Sequence, residues 1–259
     1  MNIPRFLAAL LLAAPAAATA APHAVAVRAS KGLRAYSHTV KAESGDQANF
    51  MGPVGGQNMT INVTLSPKGD AFSLGYQIEV SQPDGGSSFQ VQSSVALRPG
   101  ERLTTVEFGD WKLDLSLDAG GRSGAPRAWD PKGPNHRLTT LAGRRRCRLV
   151  QEAGTQGNIV DSSTVNGRKS GSIFNAMLAS PVGNACKLQY QFEDSSGQAQ
   201  GEETLVLGQK ASSRSGKIEF LLEGPSAAPA AAPAVAPASS PAPAPANEPA
   251  QQGAVPLLR

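Results

Sequence analysis

An all-β fold, an antiparallel meander or β-sandwich with room for two small β modules, follows from three features of the sequence. Apolar residues recur at every second position through much of residues 59–117, the period of a strand whose successive side chains face opposite ways. Turns bearing Gly, Pro and Asp separate these runs at short intervals. With 27 Gly and 20 Pro in 259 residues and 17% charged residues, the chain lacks the charged, helix-favouring repeats of a coiled coil or bundle.

Residues 1–20 read as a leader rather than as part of the fold. Arg5 supplies a positive start, residues 6–14 an apolar run, and Ala18-Thr19-Ala20 a small-x-small cleavage site. The run is too short to span a membrane. Export with cleavage after Ala20 is expected, by a leader of bacterial character. No transmembrane span is expected after that cleavage, and the location is periplasmic or secreted.

Residues 21–118 are expected to form a first sandwich-like module. Val25 and Val27 mark a short strand, and Gly52-Pro53-Val54-Gly55-Gly56 reads as a loop. Met59, Ile61, Val63 and Leu65 alternate with Thr60, Asn62 and Thr64. After a Pro/Gly turn, Phe72, Leu74, Tyr76, Ile78 and Val80 do the same, which makes a hairpin. Phe89, Val91, Val95 and Leu97 follow, then Val106 and Phe108, then Trp111, Leu113, Leu115 and Leu117. Five such runs predict a meander with one wet and one buried face.

Residues 119–136, polar and rich in Gly and Pro, are a loop or linker. Residues 137–223 form a second module or the remainder of one sandwich. Leu149-Val150, Ile159-Val160, the alternating Leu188, Tyr190 and Phe192, and residues 204–207 and 218–222 are candidate strands. Residues 172–179 fit a short helix, with Ile173, Ala176 and Met177 on one face, or equally a strand. Residues 72–78 and 186–192 share Leu, Tyr and Gln at equal places, 114 residues apart. Two related modules would give that echo, but any two amphipathic strands look alike, and the generic reading is preferred.

Residues 224–259 carry proline at every fourth position from Pro225 to Pro249. Proline fixes φ and removes an amide donor, so a disordered, polyproline-biased tail is expected. Its last residues, Val255-Pro256-Leu257-Leu258-Arg259, restore apolar character and suit a docking peptide.

Cys147 and Cys186 are an even pair in an exported chain, and a structural disulfide between them is expected. Between Arg122 and Arg148 there are eight cations against Asp130 alone, a net +7 in a chain of net +4. Arg137, Arg144, Arg145, Arg146 and Arg148 are the candidate anion-binding residues; local ion pairing is the competing reading. Trp129, within this segment, is either a binding anchor or a side chain folded back onto the core.

No nucleophile elbow, metalloprotease helix or phosphate loop is present. Three histidines leave no evident catalytic base. No catalytic residue, metal or cofactor is expected, and nucleic acid is not an expected partner, because no aromatics interleave the basic segment. The function that remains is a non-enzymatic interaction or accessory component of the bacterial cell envelope, with an envelope protein or anionic envelope component as partner. A binder of lipopolysaccharide or anionic lipid and a secreted hydrolase or carbohydrate-active domain are the alternatives.

Overall fold

Alternating burial is what the pattern demands, and among the described residues sixteen antiparallel strands deliver it. The computed structural model describes residues 22–118, 129–143 and 145–225. The leader, most of the linker, Arg122, Arg127, Arg144 and the tail beyond Pro225 lie outside the described residues. The first half contains β1 (His23–Lys31), β2 (Arg34–Ala42), β3 (Gln47–Val54), β4 (Gln57–Lys68), β5 (Ala71–Ser81), β6 (Ser87–Leu97), β7 (Arg102–Phe108) and β8 (Trp111–Leu117). The second contains β9 (Asn135–Ala142), β10 (Arg145–Glu152), β11 (Gln156–Val165), β12 (Arg168–Leu178), β13 (Ala185–Asp194), β14 (Gly197–Val206), β15 (Lys210–Ser212) and β16 (Ile218–Glu223).

Two eight-stranded sheets result, in the orders β15-β16-β9-β10-β7-β8-β1-β2 and β14-β13-β12-β11-β6-β5-β4-β3. The apolar members of each run face inward: Val27, Leu113 and Leu115 from the first sheet and Ile61, Ile78, Val91 and Phe174 from the second are fully buried. Among the described residues no helix is long and apolar enough to cross a membrane.

Four expectations change. The five-run meander is divided, because β4, β5 and β6 pair in one sheet while β7 and β8 belong to the other. The turn that carries the chain across is closed by the Glu101 amide donating to the Arg98 carbonyl (2.9 Å). β2 and β3 are full strands where the sequence suggested one short strand and a loop. Residues 172–178 are strand, since Ser172, Phe174, Ala176 and Leu178 are buried at period two while Met177 is exposed.

The fourth change concerns the echo. Adding eight to each strand number of β7-β8-β1-β2 gives β15-β16-β9-β10, and the same step takes β6-β5-β4-β3 to β14-β13-β12-β11. The turns repeat as well. The Gly45 amide donates to Leu65 and the Gly154 amide to Leu178, both at 2.7 Å. Gly100 donates to Leu117 (2.7 Å) and Gly208 to Leu222 (2.8 Å). The β3–β4 turn has positive φ at Gly55 and Gly56, and the β11–β12 turn has it at Asn166 and Gly167, the pattern of a two-residue I′ hairpin. The likeness of residues 72–78 to 186–192 thus belongs to strands in corresponding places, β5 and β13, and the generic reading is corrected.

The halves join edge to edge. β6 pairs β11 from Gln92–Asn158 to Ser87–Ser163, and β7 pairs β10 over three residues, Val106–Leu149 to Phe108–Cys147. Gly157 enters β11 where backbone and core meet most closely. A β-carbon there would collide with the Leu149 side chain and approach the Gln151 amide oxygen to 2.6 Å. Gly157→Ala is expected to cost about 2–3 kcal/mol, the upper part of the overpacking range, because Leu149 and Gln151 are themselves fully buried and have little room to move. Urea unfolding of the variant checks this, and an unchanged midpoint would refute it.

Candidate functional site

The two cysteines do not form the expected disulfide. Both are free and buried. Cys147 lies on β10, whose neighbours across the sandwich are β6 and β11. Cys186 lies on β13, separated from β11 by β12. Two strand spacings are roughly 10 Å, beyond the roughly 7 Å that separates bridged α-carbons. The Cys186 thiol donates instead to the Ala179 carbonyl at 2.8 Å. Burial pushes it up to about 11 and raises Cys147 further, so neither is a thiolate at neutral pH.

The described part of the basic segment is largely engaged with the protein itself. Arg137 donates twice to Glu223 (2.9 and 2.7 Å), and Arg148 donates to Glu107 (2.7 Å) across the β7–β10 junction. Arg145 donates to Ser172 and lies 3.9 Å from Asp194. Arg146 is exposed. Trp129 packs against the core, half-buried, with the Arg137 guanidinium 4.3 Å from its ring centre. It lines two shallow cavities of about 220 and 380 Å³.

The histidines sit on three strands. His23 lies against Phe72, with ring centres 4.5 Å apart, and His38 stacks on Phe50 at 3.5 Å. His136 is buried, with Nε2 3.2 Å from the Pro225 carbonyl oxygen, and burial lowers its pKa. Among the described residues no three His, Cys, Asp or Glu side chains gather as a metal site.

The feature that sequence reasoning missed is a cleft at the open end of the second half. It emerges when corresponding positions are compared. Val91 pairs Ile78, and Ala199 pairs Phe192; Ile78 and Phe192 correspond by the 114-residue step. Two residues before Val91 stands Phe89, and two before Ala199 stands Gly197. Likewise Trp111 stands six residues before Leu117, and Gly216 six before Leu222. In the first half Phe89 and Trp111 stack with ring centres 4.6 Å apart and planes within 12°. In the second half both rings are absent.

What remains is a cavity of about 310 Å³ whose apolar walls include Ala142, Phe192, Ala199 and Ile218. It runs into a wider space of about 690 Å³ beside Tyr190, Glu203, Arg214 and Lys217, with Gln198, Ala199 and Lys217 common to both. β15 is only three residues long, so the mouth between β14 and β16 is left uncovered. Tyr190 packs against Phe220 at 4.8 Å and Phe192 near Phe174 at 6.5 Å, giving the cleft an aromatic floor. At its rim Glu203 accepts from the Arg214 amide (2.8 Å). Apolar walls with a few polar groups at the mouth suit a recognition pocket. The sequence signal was two glycines standing where the other half has aromatics.

Comparison with known proteins gives no match: no family model, no curated protein and no solved structure matches the chain.

Proposed function

We propose that this chain is an exported, non-enzymatic β-sandwich that serves as an interaction or accessory component of the bacterial cell envelope. Its end cleft receives an apolar, aromatic-bearing strand of a partner. The observation that carries this reading is the missing aromatic stack: the second half keeps the walls that Phe89 and Trp111 fill in the first, without the filling. The uncovered mouth beside β14 adds backbone groups to which an extended segment can pair. Residues 1–20 support export, and the strand patterning without a catalytic motif supports a binding role. The ion pairs of Arg137, Arg145 and Arg148 favour the cleft over the basic segment as the recognition surface.

Two measurements test it. Fluorescence of 1-anilinonaphthalene-8-sulfonate is expected to rise on binding the folded chain, and Ala199→Trp, which fills the cavity, is expected to abolish that rise. An unaltered rise in the variant would refute the cleft as the apolar site. N-terminal sequencing of the periplasmic fraction is expected to begin at Ala21, and a mature protein beginning at Met1 would remove the envelope setting.

A further inference from the structure

We infer that the segment received by the end cleft is the β3 edge of a second copy of this chain, which adds head to tail and extends the sheet that runs from β14 to β3. The inference rests on the cleft being a binding site and names its partner.

The chain contains one working example of the contact. At the internal junction the β6/β7 side of the first half receives the β10/β11 side of the second. Under the eight-strand step, β6 and β7 correspond to β14 and β15, and β10 and β11 correspond to β2 and β3. Those four strands are the outermost members of the two sheets. At β14 and β3 the two ends of the molecule therefore relate to each other as β6 and β11 do at the junction, whereas the β7 residues that pair β10, Val106 to Phe108, have their counterparts past the end of β15.

The register follows from the pairings. Phe50 pairs Ile61, four residues before Leu65; Ile159 pairs Phe174, four before Leu178. Phe50 thus corresponds to Ile159, which is fully buried opposite Val91. Val91 corresponds to Ala199 in the cleft wall. The internal pair Ile159–Val91 becomes Phe50 of one copy opposite Ala199 of the other. The ring enters the space left by Gly197 in place of Phe89, with His38 stacked behind it at 3.5 Å. Asn49, Phe50, Met51 and Gly52 fall opposite Gln200, Ala199, Gln198 and Gly197.

Composition marks the same four positions. Edge strands are ordinarily protected by charge or proline. Neither four-residue stretch carries either: Pro53 lies just past one and Glu202 beyond the other. Met51, 81% exposed, is among the few large apolar side chains the described residues leave in water. Such a contact joins unlike surfaces, so it is not used up in a two-fold dimer and propagates from copy to copy.

Sedimentation velocity of the exported chain tests this. The wild type is expected to show a weight-average size that grows with concentration. Phe50→Asp blocks only the inserting end and Ala199→Trp only the receiving end; each is expected to weaken association by about tenfold or more. An equimolar mixture of the two is expected to form dimers and nothing larger, since each supplies the end the other lacks. Circular dichroism establishes that both are folded. The double variant Phe50→Cys, Ala199→Cys is expected to cross-link between copies under mild oxidant, which requires neither blocked variant to fold.

A wild type that stays monomeric at every concentration, or a mixture that stays monomeric, overturns the inference. If Ala199→Trp still abolishes fluorophore binding in that case, the cleft reading stands and only the second copy is lost. If deletion of residues 226–259 alone raises fluorophore binding in a monomeric chain, the cleft belongs to the chain's own tail, and the inference is again overturned.

Discussion

Phe89→Ala is expected to destabilise the protein by about 3–5 kcal/mol, the range for deleting a buried aromatic side chain. Phe89 is fully buried and stacked on Trp111, and it lies on β6, the strand that carries the longer ladder between halves. Removing the ring opens beside Trp111 a void of the kind the second half already has. The indole then loses one wall, and its nitrogen, which donates to Asp161 on β11 at 3.2 Å, loses the packing that aims it. The cost therefore includes part of the junction as well as the lost apolar burial. Ala199→Gly, at the corresponding end of the second half, deletes a methyl from a wall that already faces a cavity, and its cost should be several-fold smaller. Urea unfolding of both variants measures the contrast. Similar losses would mean that the two ends are packed alike and that the cleft is no special feature.

The sequence carries the strands better than it carries their arrangement. β4, β5 and β8 were legible because each places three or more large apolar residues at period two with polar residues between. β2 alternates too, but its inward side chains are Tyr36, His38, Val40 and Ala42, of which two are weak hydrophobic signals. β3 turns Ala48, Phe50, Gly52 and Val54 toward an end that is only half covered. The division of the predicted meander was not legible at all. Whether a strand pairs with its predecessor or crosses to the other sheet is decided by the turn and by distant partners, and period two is the same in both cases.

The candidate site was hidden for a related reason. It is made by absence, at Gly197 and Gly216, and an absence has meaning only against a counterpart. The echo between β5 and β13 was the available handle. Extended along the neighbouring strands, it aligns Phe89 with Gly197. The basic segment was the louder signal, yet charge density in a sequence does not show where carboxylates sit. Glu107 and Glu223 lie 41 residues before Arg148 and 86 after Arg137, and only the fold brings them together.

Glu152→Gln is expected to lower stability by about 2 kcal/mol at neutral pH, toward the low end of the range for losing the charge from a hydrogen-bonded group. Glu152 ends β10 in one sheet, and its carboxylate reaches the outer face of the other. It accepts from the Lys68 ammonium (2.6 Å) and from the hydroxyls of Ser73 (2.5 Å) and Ser94 (2.8 Å). Only 5% of the side chain is exposed, whereas Lys68 is 57% exposed, which keeps the figure at the low end. Beside it, Asn135 exchanges two hydrogen bonds with the backbone of Ala96 (2.7 and 2.8 Å), so the carboxylate belongs to a tie between halves. Burial alone would raise its pKa; Lys68 and the two hydroxyls outweigh burial and hold it below the ordinary glutamate value. The ionised form is thus favoured in the folded state. Its contribution is complete above the unfolded value of about 4.3 and is lost as pH falls through the lower folded value. The gap between wild type and Glu152→Gln should accordingly be widest at neutral pH and shrink below about pH 4.3. Urea unfolding across that range checks the sign, and a gap that stays constant or widens in acid would show that the charge of Glu152 contributes nothing to holding the halves together.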